Sequence, residues 1–415
     1  MIKRKLLREV RNHLDRKEIS FIVGPRQAGK TTLMLQLKEE LVKKGTPTLF
    51  LNLDIEHDKE FFSSQSKLMN KIELEIGKKR GFVFIDEIQR KENAGLFLKG
   101  IYDMNTPYKF IVSGSGSVEL KERIHESLAG RKRIFELSTV SFEEFVDFKT
   151  DYKYSNRLAN FFVVENARLF SLLEEYLNFG GYPRIVLENL MAEKRKLINE
   201  IYQSYIERDI SYLLKIHKTE AFSNLVKLLA VQTGRLVNYT ELSSTLGLSV
   251  KTIKDYLWYL EKTFIIRKVS PFFKNARKEI TKSPVYYFYD LGLRNFALGI
   301  FGVLTEAGFV FQNFIHNLLR EEISSSSSRI CFWRSKDKAE VDFVVDSGIA
   351  IVPIEVKYKP MTAPEVTKAL RSFIEKYKPE TALIVNLKLE KTIGLNKTKI
   401  HFMPFYKIMT HPLFG

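Results

Sequence analysis

Over the first 140 residues, short apolar runs alternate with amphipathic stretches. Residues 19–23, 48–53, 82–85 and 110–112 read as strands, and 31–43 carries apolar side chains at helical spacing. Apolar strands separated by helices belong to a parallel sheet covered on both faces, so 1–140 is expected to form an α/β core. Beyond residue 141 the strand signals fade. Helical periodicity takes over at 161–177 and 191–214, broken by Gly180-Gly181-Tyr182-Pro183, which reads as a helical lid over 141–218 with one sharp turn. Residues 219–272 hold helical patterns at 221–233 and 240–246, then at 249–262 after the turn Gly247-Leu248. That spacing suits a helix-turn-helix with a following wing. A basic, aromatic connector fills 273–304, and over 305–415 a helix-strand-strand-helix-strand order predicts a third core.

The chemistry concentrates where the first strand meets the first long helix. Gly24-Pro25-Arg26-Gln27-Ala28-Gly29-Lys30-Thr31 fits the Walker A pattern at each fixed position, and Thr32 follows it. Glycines are needed because successive N–H groups must turn inward around phosphate oxygens in conformations that a β-carbon would block. Lys30 is expected to reach the β- and γ-phosphates, the Thr31 hydroxyl to ligate Mg2+, and the helix to present its positive dipole end. The later run Val83-Phe84-Ile85-Asp86-Glu87 is an apolar strand ending in two carboxylates. Asp86 is expected to hold magnesium, directly or through water, and Glu87 to polarise the attacking water as a base. The strand at 110–112 runs into Ser113-Gly114-Ser115-Gly116-Ser117, where Ser113 is the choice for a hydroxyl near that water; a plain Gly/Ser turn explains the same residues. Leu128-Ala129-Gly130-Arg131-Lys132-Arg133 offers Arg131 or Arg133 as an arginine finger within or between subunits, or reads as a solvated basic turn.

Composition narrows the partners. Lys and Arg total 66 against 49 Asp and Glu, a net charge of +17, which favours polyanions through counterion release and puts DNA first. The 415 residues exceed what one core holds, so several domains are expected. A single cysteine, Cys331, excludes an internal disulfide and any multi-cysteine metal site, which points to a reducing cytoplasm. The run Met1-Ile2-Lys3-Arg4-Lys5-Leu6 lacks the apolar stretch of a signal peptide, and no run is long enough to span a membrane.

Taken together, the Walker A run, the Asp86-Glu87 pair, the Ser-Gly-Ser loop and the Ala-Gly-Arg run occur in an order that resembles a family of archaeal and bacterial AAA+-like P-loop ATPases. The resemblance implies a P-loop domain, a helical and winged-helix middle and a C-terminal domain similar to the PD-(D/E)xK restriction-endonuclease fold. It also implies ATP over GTP and a finger role for Arg131. Glu207-Arg208-Asp209-Ile210 resembles an element of the family's middle region, while Val341-Asp342 with Ile354-Glu355-Val356-Lys357 resembles the nuclease-like core. In that core Asp342 and Glu355 are candidate Mg2+ ligands with Lys357 as the motif lysine. Gln312 stands where relatives tend to have glutamate, a lost charge that weakens a divalent-ion site.

In the middle region, Lys251, Lys254 and Tyr256 are candidates to face DNA while Ile253, Leu257 and Leu260 pack inward. Arg267, Lys268, Lys274, Arg277 and Lys278, interleaved with Phe272 and Phe273, are candidates for phosphate contacts. The expected function is an ATPase acting on DNA. Two alternatives stay open: an ATP-gated switch that binds a protein partner, and an ATP-licensed magnesium nuclease. Monomer, dimer and homo-oligomeric ring all fit.

Overall fold

Five parallel strands build the first of two units into which the chain divides: β1 (Ile19–Gly24), β2 (Thr48–Asn52), β3 (Gly81–Asp86), β4 (Tyr108–Ser115) and β5 (Lys132–Glu136). Their order is β2-β3-β4-β1-β5. The structure is a computed structural model that describes residues 1–115, 128–205, 219–273, 282–324 and 326–410. Gly116, Ser117, Glu207, Arg208, Asp209, Ile210, Lys274, Arg277 and Lys278 lie outside the described residues. The first unit comprises Met1–Phe148, Gly181–His217 and Trp258–Ile265; the rest of the chain forms the second.

Each position of β1 and β3 is buried, as central strands covered on both faces must be. The helix Lys30–Lys43 turns Leu33, Met34, Leu37 and Leu41 onto Ile22, Phe84, Ile111 and Phe135, joined there by Leu7 and Val10 of the helix Leu6–Asn12. β5 is the element that the sequence pattern hid. The segment that reads as a solvated basic turn, 128–133, runs into this edge strand, where Phe135 is buried while Arg133, Ile134 and Glu136 stay exposed. An edge strand tolerates such charges and uses them against unwanted pairing. Because β4 lies between β1 and β3, the phosphate loop and the carboxylates end strands about 10 Å apart, with a β4 side chain free to bridge them.

The second unit is built on a mixed sheet of β6 (Ile266–Pro271), β7 (Val285–Phe288), β8 (Arg329–Arg334), β9 (Glu340–Asp346), β10 (Ile351–Val356), β11 (Thr381–Asn386), β12 (Lys391–Leu395) and β13 (Thr398–Pro404). Their order is β12-β13-β11-β10-β9-β8-β6-β7. The helix Ala307–Glu322 precedes β8, and Lys368–Tyr377 sits between β10 and β11. From Ala307 to Pro404 the order is thus helix-strand-strand-strand-helix-strand-strand-strand; β8, β12 and β13 are the strands that the sequence reading lacks. Cys331 and Trp333 of β8 pack with Val341, Val344, Phe373 and Phe272.

Upstream in the chain, the helices Thr219–Val231, Tyr239–Leu246 and Val250–Lys262 follow the predicted spacing. The Asn238 side chain caps the second by accepting from the Thr240 N–H at 3.0 Å, and Gly247, at φ 62°, ends it. Among the described residues, no helix is long and apolar enough to cross a membrane.

Candidate functional site

Gly24 ends β1 beneath the carbonyl of Leu137; a β-carbon there would lie 2.0 Å from that oxygen, so glycine is required. Gln27 and Gly29 take φ values of 56° and 95°, which turn the chain into the helix that begins at Lys30. The Lys30 side chain is buried, and its Nζ donates to the carbonyls of Gly24 at 3.2 Å and Pro25 at 2.8 Å. That keeps the ammonium at the mouth of the loop and ahead of the helix dipole.

Asp86 is fully buried at the end of β3. Its Oδ2 accepts from the Thr31 hydroxyl at 2.7 Å, and its Oδ1 accepts from the Ser113 hydroxyl and from the Glu87 N–H at 3.2 Å. Ser113 comes from β4, the strand between the other two, so topology delivers its hydroxyl to Asp86. Glu87 sits at φ 57°, a left-handed conformation that turns the chain off the sheet, and its carboxylate accepts from the Gln89 amide. Burial pushes its pKa above the ordinary glutamate value; Lys30 pulls it down, Asp86 pushes it up, and the Gln89 hydrogen bond pulls it down. Lys30, Thr31, Asp86, Glu87 and Ser113, read from sequence on three separate segments, thus meet at the carboxyl end of one sheet.

Lys30, Thr31 and Glu87 border a cavity of about 550 Å³ that the phosphate loop from Arg26 to Thr32 also lines, while Asp86 and Ser113 are fully buried and not part of its wall. Sequence reasoning missed the rest of its wall: Met1, Ile2 and Arg4 from the chain start, Asp54 and Arg90, and Pro183, Arg184, Leu187 and Ser204. Pro183 opens a short helix, Pro183–Leu187, from which Arg184 donates to the Gln27 side chain at 3.3 Å and to Glu200 at 3.0 Å. Arg90 pairs with Asp54 at 2.6 Å. The signal for Arg4 was its partner. Ser141 and Glu144 have the spacing of a capping box, in which the Glu144 N–H donates to the Ser141 hydroxyl at 3.2 Å and the Glu144 carboxylate accepts the Ser141 N–H at 3.1 Å.

Arg131 requires a correction. Its carbonyl accepts from the Ile19 N–H at 2.9 Å, which sets it at the amino end of β1, about 16 Å along the strand from the phosphate loop. Its guanidinium pairs with Asp103 at 2.8 Å. Arg133, opposite Ser20, is also toward that end. A finger role within the same chain is excluded for both.

In the second unit, Asp342 on β9 and Glu355 on β10 stand on adjacent antiparallel strands. Gln312 donates to Asp342 Oδ1 at 2.9 Å and the Val356 N–H to Asp342 Oδ2 at 2.7 Å. Thr367, which caps the helix Lys368–Tyr377, donates to Glu355 Oε1, while Lys357 Nζ lies 3.6 Å from Glu355 Oε2. Burial raises the Asp342 pKa to about 7 and lifts that of Glu355 as well. Among the described residues, no group of three or more His, Cys, Asp or Glu side chains is placed to hold a metal ion.

On the helix Val250–Lys262, Lys251 and Lys254 are exposed, while Ile253, Leu257 and Leu260 are buried. Tyr256 differs from expectation: it is buried, edge-on to Phe222 at 5.3 Å. Phe272 is also buried in the core of its unit, and the Arg267 guanidinium stacks on Tyr289 at 3.8 Å, so neither is offered to a ligand as a bare side chain. Lys268 is exposed and Phe273 half-buried.

Comparison with known proteins adds three matches along the chain. Residues 170–303 and 307–408 match two domains of unknown function, DUF8612 and DUF4143. Uncharacterized proteins of Mycobacterium tuberculosis and Methanocaldococcus jannaschii are 25% and 24% identical; the alignments cover 88% and 96% of this chain and 75% and 90% of theirs. Among solved structures, the Aeropyrum pernix ORC1 protein in complex with DNA is 12% identical, with a TM-score of 0.31, and covers 71% of this chain and 91% of its own. AMPPCP-bound DnaA from Aquifex aeolicus is 15% identical, with a TM-score of 0.25, over 62% and 86%. Residues 16–146, which span the sheet that holds the cavity, match the AAA domain family.

Proposed function

We propose that the first unit binds ATP with Mg2+ and hydrolyses it. The observation that carries this reading is the chain of contacts from Thr31 to Asp86 to Ser113 at the sheet's carboxyl end, beside a loop whose lysine is already held at its mouth. The residues fit the group. A hydroxyl and a carboxylate 2.7 Å apart are an oxygen pair suited to Mg2+, and Gly24, Gln27 and Gly29 hold the backbone bends that a phosphate cradle needs. When bound, Mg2+ neutralises charge on the phosphates. Lys30 supplies a cation to the β- and γ-phosphates, Glu87 accepts a proton from the attacking water, and Ser113 fixes the carboxylate between them. With Arg131 remote, Arg26 within the loop, Arg4 on the Ala28 carbonyl and Arg184 on the Gln27 side chain are the wall cations that the loop itself carries or hydrogen-bonds. Arg131 retains only a role between subunits of a homo-oligomer.

We further read the ATPase as acting on DNA through residues 219–272 as a winged helix. The support is the +17 charge together with exposed Lys251 and Lys254 on the helix after the Gly247 turn. The nuclease-like reading of 305–415 takes a degenerate form. Both oxygens of Asp342 and one of Glu355 accept hydrogen bonds from the protein itself, so the pair does not fit a resident Mg2+. The test is magnesium-dependent ATP turnover with and without duplex DNA across a salt series, with Lys30→Ala as the blank. Stimulation that fades with salt supports the DNA reading. Turnover indifferent to DNA sinks it in favour of a protein partner, and turnover equal to the blank sinks the ATPase itself.

A further inference from the structure

We propose that Arg4 is a positioning residue for the phosphate loop: it pins the Ala28 carbonyl and thereby aims the Gly29 N–H into the phosphate cradle. The inference rests on the nucleotide reading of that cavity. The Arg4 Nη1 donates to the Ala28 carbonyl at 2.8 Å, and Nη2 donates to the carbonyls of Ser138 at 2.7 Å and Thr139 at 3.1 Å. Its Nε pairs with Glu144 at 2.9 Å, and both side chains are nearly buried, at 8% and 7% exposure.

In a trans peptide the carbonyl and the following N–H point in opposite directions. Fixing one therefore fixes the other. The peptide between Ala28 and Gly29 needs such a peg, because Gly29 at φ 95° has no β-carbon to hinder its rotation. The peg is itself rigid. Glu144 accepts from the backbone N–H groups of Ser141 at 3.1 Å and Lys5 at 2.7 Å, so the carboxylate that holds the guanidinium cannot swing. A planar fork reaching three carbonyls and a carboxylate is a task for arginine; an ammonium cannot span those directions at once.

The experiment titrates ADP and ATP into the full chain and records the melting temperature without nucleotide. Arg4→Lys is expected to weaken both nucleotides about tenfold, the loss of one well-aligned charge-assisted hydrogen bond. Glu144→Gln leaves the guanidinium bonds to the three carbonyls in place, and Arg11→Gln removes an exposed pair with Glu40 on the same N-terminal segment. Arg11→Gln is expected to bind within about twofold of wild type, and Glu144→Gln, which releases one of the four bonds that hold the guanidinium, to lose affinity but clearly less than Arg4→Lys. Wild-type affinity in Arg4→Lys overturns the proposal, and so does a loss in Glu144→Gln as large as in Arg4→Lys, which would mark a merely structural network. Should Arg4→Lys not fold, Arg4→Gln with Glu144→Gln removes both charges together and is judged by the same loss of affinity. Wild type that binds no better than Lys30→Ala refutes the nucleotide site instead.

Discussion

Asp342→Asn separates a closed hydrogen-bond network from a cation site. In the fold, the Asp342 carboxyl has its pKa raised from an ordinary 3.8 to about 7, chiefly by burial. Below pH 4 the group is protonated in both folded and unfolded chains and contributes no penalty. Between pH 4 and 7 the unfolded chain ionises while the folded one holds its proton, so stability falls as pH rises, at about 1.4 kcal/mol per unit. Above pH 7 both forms are ionised and the penalty is constant. Three units give about 4 kcal/mol, but Asp342 retains some exposed surface although its carboxyl is crowded, which brings the cost to about 2 kcal/mol. Asparagine removes the ionisation and keeps the network, since Gln312 can turn its amide to accept from the new NH2 while Val356 keeps its acceptor. Urea unfolding from pH 5 to 8, with and without millimolar Mg2+, reads the outcome. The variant should show a shallower pH profile, with a residual slope from Glu355, and equal or exceed wild type at pH 8. Mg2+ should stabilise neither. A wild type stabilised by Mg2+ with the effect lost in Asp342→Asn, or a variant more than about 2 kcal/mol weaker at pH 8, would refute the closed network and restore the metal reading.

Glu87→Gln should still bind ATP but turn it over at least about a hundredfold more slowly; unchanged turnover removes the base assignment. Because burial raises the Glu87 pKa, the acid limb of turnover should lie above the ordinary glutamate range, and Gln89→Leu, which deletes a hydrogen bond to the carboxylate, should move it further up. A limb that stays put or moves down in that variant contradicts the geometry. Gly24→Ala should abolish nucleotide binding and lower the melting temperature, since its β-carbon meets the Leu137 carbonyl at 2.0 Å; a variant of native stability would show that β1 ends differently. Lys251→Ala with Lys254→Ala should flatten the logarithmic salt slope of DNA binding by about two, and an unchanged slope takes that helix out of the interface.

What the sequence made legible was local. A strand of unbroken apolar residues, glycines at fixed offsets and a paired Asp86-Glu87 state their chemistry within a few residues, and the fold brings those segments together as their types require. What stayed hidden depends on partners far along the chain. Arg4 looks like one of several N-terminal cations until Ala28, Ser138, Thr139 and Glu144 surround it. Arg131 looks like a finger because Gly-Arg follows the sensor strand, yet the residue lies at the start of an edge strand parallel to β1, which runs from the sheet's amino end. Tyr256 carries a polar tip that suggests a groove, but Phe222 provides an apolar wall that the helical period alone does not register. The same limit applies to Gln312. Its type foretells a weakened cation site, and only its hydrogen bond to Asp342 shows that an amide donor occupies that place. The Gln312 amide and the Val356 N–H occupy both carboxyl oxygens without any cation, which is why the pH profile and the Mg2+ response of Asp342, rather than a cleavage assay, discriminate a closed network from a metal site.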